Sequence, residues 1–406
     1  MGRLLLVATI LAGQPPAPLK PHLEAYLDRV ARSEFNGAVL VAEGDEVIVA
    51  RGLGFLDHTK ATPVTVETIF DLGSVTKQFT AAAIVQLEAR GLLRVTDSVG
   101  GFFPEAPADK AGITIHQLLT HTAGLADDYA TDDFEPIDRT EFLHRVWTRP
   151  LASTPGSYAY SNGGYGLLAA ILETVTGQSW QQYLHGNIFD PAGLAHCGFY
   201  NDPIFDSSPV AIGYFNGKET GNPARFPGPY WGVIGNGEIL CPLGDLYRWV
   251  DGLRRNLVLS RVETDRLFTR HVREGSGDSW YGYGWTLADT PEGRLITHNG
   301  GGSGGNADVA IYPDRRLIII VLSNAISYRT LGPVPLEIRL PATELRQQLA
   351  RNIFSGDFSR LPPPTFVIDP YVAIVLVVVG SLVGLVGWNR WKSARRAGVA
   401  SVTASA

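Results

Sequence analysis

DLGSVTKQFT (residues 71–80) runs straight into the apolar stretch AAAIVQLEARG and carries a serine and a lysine three residues apart. Residues three apart share a face of a helix, so Ser74 and Lys77 can touch if a helix begins here. The chain has only six lysines among its thirty-four basic residues, and a helix bound for the core would ordinarily exclude a charge. Chemistry gives a reason to keep it. A serine at a helix start can attack a carbonyl while its own N–H steadies the resulting oxyanion. Its proton needs a base, and a lysine serves only when burial or neighbours lower its pKa from ~10.4 to near neutrality, a change of about 4 kcal/mol. Arginine stays charged and cannot do this.

Outward from this stretch, the apolar spacing predicts a helix over residues 74–90, closed by Gly91. Upstream, residues 22–35 have helical spacing, with Leu23, Tyr26, Leu27, Val30 and Phe35 near one face. Residues 37–54 read as two strands around a Gly-Asp turn. Strands return late, as RLITH (294–298), NADVAIYP (306–313) and RRLIIIVLSN (315–324), and residues 342–354 form a closing helix. Two early strands and three late ones predict an α+β fold: one antiparallel five-stranded sheet, flanked by the terminal helices. A mostly helical insertion spans about 92–290 and packs beside the sheet. The crevice between sheet and insertion is where a site belongs.

Two further fragments can complete the chemistry. Tyr160-Ser-Asn162 opens another helix within PGSYAYSNGGYGLLAAIL (155–172). A tyrosine hydroxyl beside an ammonium has its pKa drawn down and can relay the serine proton. Asn162 offers an amide to orient Lys77 or a substrate. In THNGGGSGG (297–305) a strand ends at His298, Asn299 and Gly300, and the N–H of Gly301 is a candidate second oxyanion donor. Each fragment has a decoy, Tyr214-Phe-Asn216 for the first and His196-Cys-Gly198 for the second.

Other constellations are weaker. His121, with Asp127 or Asp128 close by, suggests a Ser-His-Asp triad, yet a Ser-Lys-Tyr set needs no histidine base. Gly301-Gly-Ser303-Gly-Gly305 fits Gly-x-Ser-x-Gly literally, but a nucleophile elbow needs a helix after the serine and a strand follows here. His116 and His121 are five apart, off the spacing of a helical zinc pair, so no metal is expected and no cofactor either.

SVTK (74–77), YSN (160–162) and HNG (298–300), in this order, resemble the serine β-lactamase and penicillin-binding-protein-like hydrolase superfamily. The middle tyrosine is similar to the class C and family VIII carboxylesterase branch. LLTHTAGL (118–125) and YGYGW (281–285) support the likeness, which covers roughly residues 22–355. It implies that Ser74 is the acylated nucleophile, that Lys77 and Tyr160 share the base role, and that Asn162 orients them. It places His298, Asn299, Gly300 and Gly301 along the substrate. His298 stands where penicillin-directed members carry a lysine, and Asn299 replaces their threonine. A largely neutral imidazole grips a carboxylate poorly. The expectation is therefore a preference for uncharged esters over carboxylate-bearing β-lactams, easing as the pH falls toward 6.

The rest of the chain bounds location and partners. Forty acids against thirty-four bases give −6, and five of the bases lie in the two ends, so nucleic acid is a poor partner. Residues 1–14 read as a signal peptide and 15–360 as the hydrolase domain. A Pro-rich linker (361–370), a transmembrane helix (371–389) and a basic cytoplasmic tail (390–406) follow. That places the catalytic domain outside the cytoplasm on a single membrane span. Cys197 and Cys241 exclude a disulfide scaffold, and nothing in the sequence places them together. The reading is a membrane-anchored serine hydrolase of esters or amides with a small-molecule or peptide substrate. The alternative is a sensor or binding protein that is acylated without turnover.

Overall fold

The computed structural model of the protein describes residues 19–362, except 34, 332 and 333. Its main sheet is built from β1 (Gly37–Glu43), β2 (Glu46–Leu53), β3 (Val272–Arg273), β4 (Ser279–Tyr281), β5 (Thr286–Thr290), β6 (Gly293–Gly302), β7 (Gly305–Tyr312) and β8 (Leu317–Ser323). The order is β2-β1-β8-β7-β6-β5-β4-β3, and every neighbouring pair is antiparallel. The sheet thus has eight strands where the sequence predicts five. The added strands, β3 to β5, occupy residues 272–290, within the stretch read as a helical insertion. They are short and broken by Gly275, Gly277, Gly282 and Gly284, so they show too little alternation to be seen alone. Pairing creates them: β5 adds to the edge of β6, β4 to β5 and β3 to β4.

The sheet is covered on both faces, which explains its unbroken apolar runs. Val39 and Val41 of β1, with Leu317, Ile319 and Val321 of β8, pack against α1 (Leu19–Ala31) and the closing helix Pro341–Ser355. Alternate residues Ala38, Leu40, Ile318, Ile320 and Leu322 point the other way, into the main core with Phe79, Ile84 and Trp249. The helix α2 (Thr76–Ala89) runs through that core and is buried from Thr76 to Leu87. Its polar side chains have partners there. Thr80 donates to the Gly235 carbonyl at 2.7 Å, and Gln78 accepts the Trp249 indole N–H at 3.0 Å.

Beside α2 lies α3 (Asn162–Thr176), N-capped by Ser161, whose hydroxyl accepts the Gly164 N–H. A small sheet of Ile69–Asp71, Ile239–Pro242 and Gly198–Phe199 supports the turn that precedes α2. It also brings together the two cysteines, which form a buried Cys197–Cys241 disulfide closing a 44-residue separation. Reduction of this bond is expected to cost about 2–4 kcal/mol by releasing the unfolded chain. The check is the thermal midpoint with and without reductant, and with both cysteines changed to serine. An unchanged midpoint would mean the bond contributes no stability.

Among the described residues no helix is long and apolar enough to cross a membrane. The span expected at 371–389, the signal segment 1–14 and the tail 390–406 fall outside the described residues.

Candidate active site

Ser74 sits in a short 3-10 turn, Gly73–Val75, that leads into α2, so the helix proper begins two residues later than the spacing predicts. Gly73 adopts φ +50°, where a side chain would be strained and would press on the backbone of Gly301 at 2.8 Å. That turn leaves Ser74 partly exposed between buried Gly73 and Val75. One turn on, Lys77 is 0% exposed, and its Nζ donates to Ser74 Oγ at 3.0 Å. It also donates to Asn162 Oδ1 at 2.6 Å and to the Asn236 carbonyl at 3.1 Å. Burial pulls the ammonium down from 10.5 to about 7, against the opposing pull of Asp127, Asp128 and Asp133. This is the depression a lysine base requires.

Asn162, at the first position of α3, is fixed in turn by Asp128, which accepts its amide N–H₂ at 2.8 Å. Tyr160 lies across Lys77, with Nζ 4.9 Å from the ring centroid, and its hydroxyl lies near Ser74. The lowering expected for this phenol does not occur. Burial raises it above its ordinary value, and Asp127, Asp128 and Glu274 add to the rise, outweighing the Ser74 contact. Tyr160 therefore holds its proton at neutral pH and can donate a hydrogen bond.

The strand β6 forms the facing wall. Its outer edge pairs with β5 only as far as Thr297; beyond that it meets the Ser74 turn. Gly300 is required for this approach, since a Cβ there would overlap the Leu72 carbonyl at 1.9 Å and stand 2.7 Å from the Ser74 nitrogen. Asn299 and Gly301 are exposed along the strand. His298 is buried, and both its ring nitrogens are engaged: Nδ1 with the Asn299 carbonyl at 2.6 Å, Nε2 with the Tyr281 hydroxyl at 2.9 Å. Nδ1 must donate to a carbonyl, and in the neutral ring Nε2 then accepts from Tyr281. Burial, helped by the Lys77 charge, lowers it from 6.5 to about 3. The expected easing of anion discrimination toward pH 6 is corrected here, because His298 does not titrate in that range.

His121 is also buried, and its Nδ1 accepts the Ser161 N–H at 3.1 Å while its ring lies 4.2 Å from that of Tyr160. Among the described residues no hydrogen bond joins it to Ser74. Several residues at the site carry no sequence signal. Asn236 holds Lys77 through its carbonyl, a contact no side-chain pattern reveals. Tyr281 lies in a quoted motif, but its bond to His298 is tertiary. Asp71 opens the decisive stretch, and only its burial and partners make it notable.

The profile of the family described as Beta-lactamase matches residues 24–329. The chain is 30% identical to "Penicillin-binding protein 4*" of Bacillus subtilis (strain 168), over 75% of this chain and 72% of that protein. It is 28% identical to "Esterase EstB" of Burkholderia gladioli, over 80% of this chain and 95% of that protein. In three dimensions it resembles the penicillin binding protein from Bacillus halodurans with a TM-score of 0.64 and 28% identity, covering 75% of this chain and 95% of that one.

Proposed function

Because the chain belongs to the Beta-lactamase family, whose characterised relatives include hydrolases, we propose that it is a serine hydrolase working through an acyl-enzyme on Ser74. The observation that carries this reading is a fully buried Lys77, lowered to about 7, with its Nζ 3.0 Å from Ser74 Oγ. The neutral amine takes the Ser74 proton as Oγ bonds to the substrate carbonyl carbon. Charge developing on the carbonyl oxygen is met by the N–H groups of Ser74 and Gly301. Collapse breaks the bond to the leaving alcohol or amine, which receives the proton from Lys77 through the hydroxyl of Tyr160. Water then repeats the cycle on the acyl-enzyme, restoring Ser74.

Substrate charge follows from the surroundings. Asp127, Asp128 and Asp133 act on Lys77, Glu274 acts on Tyr160, and His298 is neutral with its nitrogens occupied. A carboxylate-bearing substrate is repelled here, so neutral esters or amides are the favoured class. The predicted ratio of kcat/KM for a neutral ester over its carboxylate-bearing match is at least about ten-fold, the worth of ~1.4 kcal/mol. It should fall as salt screens the acids. A ratio below one would place an unrecognised cation in the cleft.

The buried disulfide supports location outside the reducing cytoplasm, where such bonds persist. The test of the whole reading is incubation with a fluorophosphonate, mapping of the labelled residue by mass spectrometry, and turnover of a p-nitrophenyl ester. Label on Ser74 with turnover supports it. Label without turnover would favour a sensor or binding role, and label elsewhere would refute it.

A further inference from the structure

Asp71 is 1% exposed and takes no part in the proton path described above. One carboxylate oxygen accepts the Gly73 N–H at 2.9 Å, and the other accepts the Tyr200 hydroxyl at 2.7 Å. Gly304 also packs against this carboxylate, so closely that a Cβ on it would lie 2.1 Å from Oδ2. One buried side chain thus binds the backbone of one segment and packs against that of another more than two hundred residues away. The first is the turn that carries Ser74. The second is the turn between β6 and β7, three residues beyond Gly301. Asp133 grips the same turn from its outer side, accepting the N–H of Ser303 at 3.0 Å and its hydroxyl at 3.1 Å.

We propose that Asp71 is a positioning residue that locks the nucleophile turn to the glycine edge of β6, fixing the spacing between the Ser74 and Gly301 oxyanion donors. The inference rests on the acyl-enzyme reading of the site. A donor pair works only when held within about half an ångström of its productive geometry. Gly73 and Gly300 leave no side chains to set that spacing, because each is pressed against the opposing backbone. The Asp71 carboxylate supplies the missing tie. Asparagine keeps the shape but has one acceptor oxygen and no charge, so it cannot hold the Gly73 N–H and face the Gly304 edge as the carboxylate does. One of the two links is then lost.

Loss of an oxyanion donor outright costs about 10²–10³-fold in kcat, so a loosened one should cost about ten- to a hundred-fold. The experiment uses the full chain, with functional sites counted by fluorophosphonate titration, and compares Asp71→Asn, Gly304→Ala and the double variant. The expected result is a fall in kcat per titrated site for each single variant, with KM for a neutral ester within about two-fold. The double variant should be no worse than the poorer single one, because both cut the same link. A role in folding alone would lower the number of titrated sites and leave kcat per site unchanged, which overturns the proposal. Losses that multiply in the double variant overturn it too. If Asp71→Asn does not fold, Gly304→Ala decides by the same per-site criterion. Failure of the wild type to label at Ser74 would instead refute the acyl-enzyme reading itself.

Discussion

Replacement of Ser74 by alanine is expected to remove both fluorophosphonate labelling and ester hydrolysis, with kcat/KM falling at least about 10³-fold. The size of the effect follows from the geometry. Ser74 is partly exposed, its hydroxyl receives a hydrogen bond from buried Lys77, and its backbone nitrogen lies against Gly300. Removing Oγ leaves the base and the oxyanion donors with no atom to acylate, and any residual rate is that of water attacking in the same cleft. The measurement is kcat/KM on a p-nitrophenyl ester, beside a thermal midpoint to show that the variant is folded. Retention of a tenth or more of the activity would place the nucleophile elsewhere. Ser303 would then be the first residue to examine, although Asp133 already engages its hydroxyl.

Lys77→Arg should cost about 10²-fold or more, despite keeping the charge. Arginine stays protonated, and its planar fork cannot reproduce three donations from one compact ammonium to Ser74, Asn162 and Asn236. The pH profile tests the assignment. Lysine accepts the serine proton only as the free amine, so kcat/KM should rise with pH through about 7 and level off above it. Buried Asp71 also titrates at about 7, so the value alone does not identify the group. The arginine variant does: its residual activity should lack the limb that belongs to Lys77. Tyr160→Phe should reduce the rate less and preserve the limb, because the phenol stays protonated throughout. A Tyr160→Phe variant without the acid limb would transfer the base role from Lys77 to Tyr160.

Elements with strong local signals are legible in the amino-acid order alone. The apolar stripe of α1, the two runs of β1 and β2, the segments of β6 to β8 and the closing helix each bury enough side chain to declare their period. Ser74 and Lys77 are legible there too, because three residues on a helix is a local distance, and the order of the three motifs marked Tyr160, Asn162 and His298 as partners. Tertiary structure decided the remainder. Strands β3 to β5 exist through successive pairing outward from β6, since two to five residues between glycines cannot specify a strand alone. The Cys197–Cys241 bond needed the small sheet to bring its halves together. The ionisation of the site was likewise invisible in the sequence. Spacing suggests that an ammonium beside Tyr160 lowers the phenol and that His298 titrates near neutrality. Burial reverses the first and removes the second, because desolvation scales with the whole surrounding fold while a motif records only its nearest neighbours.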